Sequence, residues 1–485
     1  MRMLDSHYIG GQWVRDHEER HRTIVNPATG EPSGHMRLGD AADVDRAVAA
    51  ARAAFAAFSR TTRQDRLDLL DALIAEYQAA IDDMAARITE EMGAPAVFAR
   101  KVQAPSGLGH LMTARKMLET FSFHEDRGST RVAREPVGVV GMITPWNWPI
   151  NQITCKVAPA IATGCTMVLK PSEVAPYSAE LFAEIVDRAG VPAGVFNMIW
   201  GEGPTVGQAI AAHPDVDMVS ITGSTRAGRA VQAAGADTIK RVTQELGGKS
   251  ANILLDDLSD DAFVSAVTRD TLGVMMNTGQ TCTARTRMFV PRDRMDRAAE
   301  TAAAAAATVV TGAPGDAATQ MGPISHRDQY EKVQSLIEKG MAEGARLVAG
   351  GPGRPQGAPN GGFFVQPTVF ADVTPDMTIA REEIFGPVLS ILPYDSEEEA
   401  VAMANDSPYG LAGAVTAADA GRARDVAQSL RTGIVHINGA PNDITAPFGG
   451  YKQSGNGREW GDYAFHDYLE VKAIMGFADD AGHAA

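Results

Sequence analysis

A single cysteine stands between two threonines in Gly279-Gln280-Thr281-Cys282-Thr283, just ahead of the strand-like Arg287-Met288-Phe289-Val290. A thiol presented at the end of an element, after small residues, suits nucleophilic attack, and Cys282 is read as a nucleophile. A free thiol titrates at about 8.5 and is mostly protonated at neutral pH, so the site or a base has to activate it. The other two cysteines, Cys155 and Cys165, read as small buried hydrophobes. A second group of polar residues gathers in short loops upstream: Thr144-Pro145-Trp146-Asn147-Trp148, Lys170-Pro171-Ser172-Glu173, Gly201-Glu202-Gly203-Pro204 and Thr222-Gly223-Ser224-Thr225. A lysine and a carboxylate at one strand end can hold ribose hydroxyls, and glycine with serine at a helix start can hold a pyrophosphate.

These loops do not spell a GxGxxG fingerprint. Gly203 is followed by Gly207, one residue too far, and the run from Gly223 to Gly228 lacks its middle glycine. Gly248-Lys249-Ser250 resembles the end of a P-loop, but the earlier glycine that motif needs is Thr243. On residues alone the loops fit a dinucleotide site or ordinary turns equally well.

The elements that must position the loops alternate strand and helix. Val137 to Ile143 is a nearly continuous apolar run, the pattern of a strand buried on both faces. A helix over 150–162, a strand over 166–169, a helix over 178–189, a strand over 196–199, a helix over 205–212 and a strand over 218–221 follow. That spacing predicts a doubly wound α/β domain, whose ligands bind at the carboxyl ends of the strands. Before it lie a hairpin over 7–14, a helix capped by Asp43, and helices over 67–77 and 81–92, the last stopped at Gly93. After it a second α/β unit is expected, with a strand over 251–255, an alanine-rich helix over 295–309, a surface loop over 352–362, helices over 397–405 and 420–429, and strands over 385–392 and 432–438.

A chain of 485 residues with 45% hydrophobic content is long enough for two or three cores. Its formal net charge of −16 repels phosphate backbones and anionic lipid, so neither nucleic acid nor a membrane surface is an expected partner. Three cysteines give neither a disulfide framework nor a CxxC zinc pair, and no metal is expected. With no leader-like apolar segment in Met1 to Val14, the expected setting is the cytoplasm.

Seven stretches, in order, resemble the aldehyde dehydrogenase superfamily: Thr144-Pro145-Trp146-Asn147, Lys170-Pro171-Ser172-Glu173, Ile221-Thr222-Gly223-Ser224-Thr225, Glu245-Leu246-Gly247-Gly248-Lys249, Gly279-Gln280-Thr281-Cys282, Glu383-Ile384-Phe385-Gly386-Pro387 and Pro447-Phe448-Gly449-Gly450-Tyr451-Lys452. The resemblance implies two doubly wound α/β domains plus a small oligomerisation arm. The cofactor domain would be 1–118 and 139–247, the catalytic domain 248–450, and the arm with the C-terminal tail 119–138 and 451–485. A homodimer or homotetramer is the implied assembly.

The same resemblance implies roles. Cys282 attacks an aldehyde, the Asn147 side chain and the Cys282 amide receive the oxyanion, and Glu245 is the base that activates water against the thioester. Lys156 and Glu459 match a pair that passes protons onward. NAD is the implied cofactor, with NADP use left open. Thr144, Pro145, Trp146, Lys170, Ser172, Glu173, Gly203, Gly207, Gly223, Ser224, Leu246, Gly247, Glu383 and Phe385 would surround it, and the Glu173 charge opposes a 2′-phosphate. Trp148, Asn151, Gln152, Cys155, Thr281 and Asn442 fall along the implied aldehyde tunnel, a lining that leans toward small or polar aldehydes. Two other readings stand beside this one: a coenzyme A-acylating enzyme, and a catalytically silent binding protein of the same fold.

Overall fold

The computed structural model describes residues 1–15 and 20–478. Its first sheet has five parallel strands at the centre, in the spatial order Arg241–Glu245, Met218–Thr222, Val139–Ile143, Thr166–Lys170 and Phe196–Met198. Gly455–Asn456 closes one edge antiparallel, and the hairpin His7–Ile9 with Gln12–Val14 closes the other. Every residue of Val139–Ile143, Thr166–Lys170 and Met218–Thr222 is buried, which is why these stretches are mostly apolar rather than alternating in apolar and polar residues.

From Val139–Ile143 the chain steps outward through Thr166–Lys170 to Phe196–Met198, then crosses back to lay Met218–Thr222 on the opposite side. Strand order therefore reverses next to Val139–Ile143. In an open α/β sheet the two loops leaving such a reversal diverge to opposite faces and open a crevice. Here those loops begin at Thr144 and Gly223.

A second sheet runs Arg346–Ala349, Thr368–Ala371, Val388–Tyr394, Arg287–Pro291, Ala251–Leu254, Ala412–Thr416 and Ile434–Ile437, all parallel except the first strand. A third, antiparallel sheet joins His124–Arg127, Thr130–Pro136 and Leu469–Ile474. After Tyr451 the chain rejoins the first sheet at Gly455–Asn456. Leu469–Ile474 then joins the third sheet, lying against the chain's own Thr130–Pro136 with Glu470 opposite Glu135. Residues 479–485 of the expected tail lie outside the described residues.

Several expectations need correction. Asp40, not Asp43, caps the helix Ala41–Phe58; Asp43 sits three residues in and completes the capping box by accepting the Asp40 N–H. The stretch expected as a helix over 205–212 opens as a wide π-type turn, Gly203–Gly207, before the short helix Gln208–Ala212. Phe385 is not in a strand: its φ is 57°, and the strand starts at Val388 after the turn made by Gly386 and Pro387. Within the helical scaffold, the Glu91 carboxylate is buried and accepts the N–H groups of Tyr177 and Ser178, the first turn of Tyr177–Arg188.

Burial raises the Glu91 carboxyl from 4.5 to about 7, against the pull of those N–H groups. A raised acid favours the folded state while it is protonated, so its contribution is complete below pH 4.5 and is lost as pH rises through about 7. Urea unfolding at pH 5 and pH 8 is expected to show native protein losing about 2.5 kcal/mol more than Glu91→Gln across that interval. Parallel losses in the two proteins would show that this carboxyl does not titrate on folding.

Candidate functional site

The cysteine loop is built by an unusual backbone. After the helix Asp260–Met275, Asn277, Thr278 and Gly279 take left-handed conformations in succession, with φ of 54°, 56° and 68°. Gly279 has to be glycine, because a Cβ there would lie 2.0 Å from the Gly386 carbonyl oxygen. The loop is pinned by side chains as well. Asn277 Nδ2 donates to the Asn147 and Gln280 carbonyls (3.0 and 3.1 Å), its Oδ1 accepts from Gln103 (2.8 Å), and Gln280 Oε1 accepts the Ser325 N–H (2.9 Å). Strain of this kind survives only where the surroundings over-determine it, and such places are commonly functional.

Two further motifs press on the same loop. A Cβ at Gly248 would stand 2.5 Å from the Cys282 carbonyl, and one at Gly449 would stand 2.7 Å from Glu245 Oε1. Glycines distant in sequence thus let backbone close around Cys282 and Glu245. Cys282 opens onto a cleft of about 180 Å³ at the strand-order reversal, with Pro145, Trp146, Asn147, Gly223, Ser224, Leu246, Gly247, Glu383 and Phe385 among its walls. One N–H of the Asn147 amide is held by the Gln280 carbonyl (3.1 Å), which aims the group and leaves its second N–H for another acceptor.

The charges here are buried ones. Glu245 is buried, and neither carboxylate oxygen has a hydrogen-bond partner among the described residues. Its pKa is driven well up, by burial first and by the Glu459 carboxylate second. The Cys282 thiol is also pushed up, by burial and then by Glu245, Glu383 and Glu459, while its own backbone N–H favours the thiolate. Lys156 pairs with Glu459; burial opposes the Lys156 charge most, but Glu459, Cys155 and Glu245 together raise its pKa above the ordinary value. Glu383 accepts the Gly248 N–H (2.8 Å), and a Cβ on Gly247 would meet its carboxylate at 2.5 Å.

Of the other expected cofactor residues, Glu173 lines a neighbouring pocket that shares His326 with the cleft, and Thr144, Lys170, Ser172, Gly203 and Gly207 are not among the cleft's walls. Lys170 Nζ binds Glu173 Oε2 at 2.8 Å; burial would raise the Glu173 carboxyl, but Lys170 holds it below its ordinary value. Ser172 turns inward to accept the Val174 N–H, and Thr144 is buried with its N–H on the Lys170 carbonyl. Gly203 and Gly207 form the wide turn described above. Ser224 caps the helix Thr225–Gly235 by accepting the Ala227 N–H (3.2 Å).

The sequence profile described as "Aldehyde dehydrogenase family" matches residues 13–474. The chain belongs to the aldehyde dehydrogenase family. It is 55% identical to a Pseudomonas protein named 3-succinoylsemialdehyde-pyridine dehydrogenase, over 98% of this chain and 99% of that one. Its fold is similar to that of a cysteine-to-alanine mutant of aldehyde dehydrogenase C from Pseudomonas syringae, solved with NAD+ and octanal. That match has a TM-score of 0.96 and 51% identity, over 98% of this chain and 97% of the other. It is also similar to an aldehyde dehydrogenase from Mycobacterium tuberculosis solved with NAD+, with a TM-score of 0.94 and 40% identity over 98% of both chains.

For a member of the aldehyde dehydrogenase family, the residues expected along the tunnel are dispersed. Trp148 Nε1 donates to Thr281 Oγ1 (3.0 Å), so these two form one wall, and Asn151 bonds His110 (2.9 Å). Thr281 and Asn442 line a second cavity. Gln152 is buried, its Oε1 unpaired among the described residues. Cys155 is 3% exposed, and its thiol donates to Glu459 Oε2 (3.3 Å), so it sits with the Lys156–Glu459 pair rather than on an open wall.

Three residues outside the motifs, His326, Gln329 and Lys332, also line the cleft. His326 packs edge-on to Trp146, Gln329 donates to the Ile384 and Phe385 carbonyls, and Lys332 donates to the Glu383 carbonyl at 2.7 Å. All three belong to the helix Arg327–Ala342 or its cap. The signal was present: a Ser-His start followed by Tyr330, Val333, Leu336 and Ile337 at helical spacing puts Gln329 and Lys332 one turn apart.

Proposed function

We propose that the protein is a hydrolytic, NAD-dependent aldehyde dehydrogenase acting on a polar aldehyde. The observation that carries this reading is that Cys282 and Asn147 share one cleft while Glu245, buried and without a hydrogen-bond partner among the described residues, contributes to the charge felt by the thiol.

The Cys282 thiolate attacks the aldehyde carbon. The second N–H of Asn147 and the Cys282 backbone N–H then face the oxygen that gains charge, and such donors stabilise it most in a site closed to water. Asn147 needs no reorganisation, since Gln280 and Asn277 already hold its amide and carbonyl. NAD, the cofactor of the solved relatives, supplies the hydride acceptor when bound. The cleft fits it on its own terms. Glycines at 223 and 247 let a ligand approach the backbone, Ser224 stands at a helix N-terminus, and the Lys170–Glu173 pair and Glu383 offer groups for two riboses. The Glu173 carboxylate opposes a 2′-phosphate, which favours NAD over NADP.

Loss of hydride leaves an acyl thioester on Cys282. Glu245 takes a proton from the attacking water, and Lys156 with Glu459 receives the charge that the proton brings. In this reading the site residues divide between a cofactor domain of 1–118 and 139–247 and a catalytic domain of 248–450. The third sheet serves as an oligomerisation arm: Val471 and Met475, 69% and 79% exposed, give it an apolar rim for a second copy. Among the described residues no helix is long and apolar enough to cross a membrane, and a reducing, cytoplasmic setting suits three free cysteines.

The test is NADH formation followed by absorbance across a panel of polar and alkyl aldehydes. Turnover without coenzyme A is expected, with NAD favoured over NADP at least tenfold in kcat/KM. Oxidation that depends on added coenzyme A would make the protein an acylating enzyme instead. Cofactor binding without turnover of any aldehyde would make it a silent relative.

A further inference from the structure

A second cavity, of about 320 Å³, lies against the cysteine loop, with Arg269, Met276, Thr281, Thr283, Arg285 and Asn442 in its wall. Thr281 and Thr283 flank Cys282, so this cavity and the cleft lie on either side of the same three-residue segment, each within one residue of the thiol. Trp148 holds the Thr281 hydroxyl oxygen at 3.0 Å and so fixes that segment between them.

The charges around it do not cancel. Two guanidinium groups, Arg269 and Arg285, share one buried carboxylate, Asp270. Arg269 takes both Asp270 oxygens in a forked pair (2.9 and 2.8 Å), and Asn252 binds one of them as well (2.9 Å). Arg285 is left 3.8 Å from Asp270, with no hydrogen bond among the described residues. His436 cannot supply an anion, and its Nδ1 is committed to the Ala440 carbonyl at 2.8 Å. One positive charge is thus in excess, on a planar fork whose N–H groups make no hydrogen bond to an acceptor among the described residues. A group of that kind matches a carboxylate or carbonyl oxygen in shape as well as charge. Met276, beside it, suits a methylene segment.

We propose that this cavity receives the far end of the substrate, and that Arg285 selects aldehydes whose tail ends in an acceptor oxygen, a carboxylate above all. The inference rests on Cys282 being the nucleophile of the proposed reaction. Arg285 is the specificity residue, Thr281 and Thr283 provide additional donors, and Arg269 with Asp270 positions the wall.

The experiment compares three aldehydes of equal chain length ending in a methyl group, a methyl ketone or a carboxylate, in native protein, Arg285→Met and Arg285→Lys. Native kcat/KM is expected to rank carboxylate, ketone, methyl. In Arg285→Met the ratio of carboxylate to methyl kcat/KM is expected to fall about ten- to hundredfold, the range for losing a charge-assisted hydrogen bond, with the loss in KM rather than kcat. Arg285→Lys is expected to recover part of the carboxylate preference and none of the ketone preference, since it keeps the charge but not the fork. A native protein that oxidises all three alike overturns the proposal, as does an equal loss on all three in Arg285→Met. Either result leaves the parent reading standing, because the aldehydes are still oxidised. Failure of native protein to oxidise any of them, or activity that survives Cys282→Ala, overturns the parent reading and this inference with it.

Discussion

Cys282→Ala is expected to abolish aldehyde-dependent NADH formation, by about four orders of magnitude or more, while NAD still binds and the protein still melts cooperatively. The size follows from the chemistry. Without sulfur no covalent adduct forms, and hydride would have to leave an unactivated aldehyde hydrate. The fold should tolerate the change, since Cys282 sits on a partly exposed loop fixed from outside by Gly279 against Gly386 and by the Asn277 hydrogen bonds. Cys165→Ala is the matched control: that thiol is buried just before the strand Thr166–Lys170, donating to the Tyr468 carbonyl (3.3 Å), and its loss should leave kcat/KM within a few-fold of native. Measurement of NADH formation alongside NAD binding by calorimetry separates a lost nucleophile from a lost cofactor site. Undiminished turnover in Cys282→Ala would remove the cysteine from the mechanism.

How much of this was legible in the sequence depends on what kind of interaction fixes each part. The parallel strands were readable because burial on both faces favours apolar runs: Val139–Ile143 has no polar side chain, and Met218–Thr222 interrupts its run only with Ser220 and Thr222. Local chemistry was readable for the same reason: Gly93 ends its helix with φ 73°, as a C-terminal glycine should. The misplacements fell where a local rule had two solutions. Asp40 and Asp43 are both acceptable caps, and only the geometry of the reciprocal hydrogen bonds decides between them. The apolar run that opens at Phe385 looks like strand, but contact of Gly386 with Gly279 bends it into a left-handed turn first.

The site divides in a similar way. Residues on the loops around the strand-order reversal were found through motifs, since those loops are short and their sequence is their position. Residues that reach the site from far along the chain were found only where a motif carries them, as with Glu383 and Phe385. Gln329 and Lys332 arrive on a helix from the second sheet, and nothing in their own neighbourhood points at Glu383 or Phe385. Arg285 is only three residues beyond Cys282. Even so, its lack of a full partner became visible only when the fold placed Arg269 on Asp270 first. Charge that is unbalanced in space is invisible in a list of charges.

Glu245→Gln is expected to separate the two halves of the reaction. Gln cannot take a proton from water, so a single burst of about one NADH per site should be followed by a steady state lower than native by about 10²–10⁴-fold. The acyl group should then be found on Cys282 by mass spectrometry. The pH dependence carries more information. Glu245 acts as a base only when ionised, and burial with the neighbouring Glu459 charge holds its pKa well above the ordinary carboxylate range. Native steady-state turnover should therefore rise with pH through that raised value and fall away as pH drops below it, while the residual rate of Glu245→Gln should lack this limb. The same charge acts on the thiol, because Glu245 is second only to burial in raising the Cys282 pKa. Alkylation of Cys282 by iodoacetamide should consequently be faster in Glu245→Gln than in native protein, but only on the alkaline side, where native Glu245 is ionised. At lower pH the two proteins should react alike, since a protonated glutamate and a glutamine present the same charge. A lost burst together with a lost steady state would assign Glu245 to activation of Cys282 before acylation, and a full steady state would remove it as the hydrolytic base.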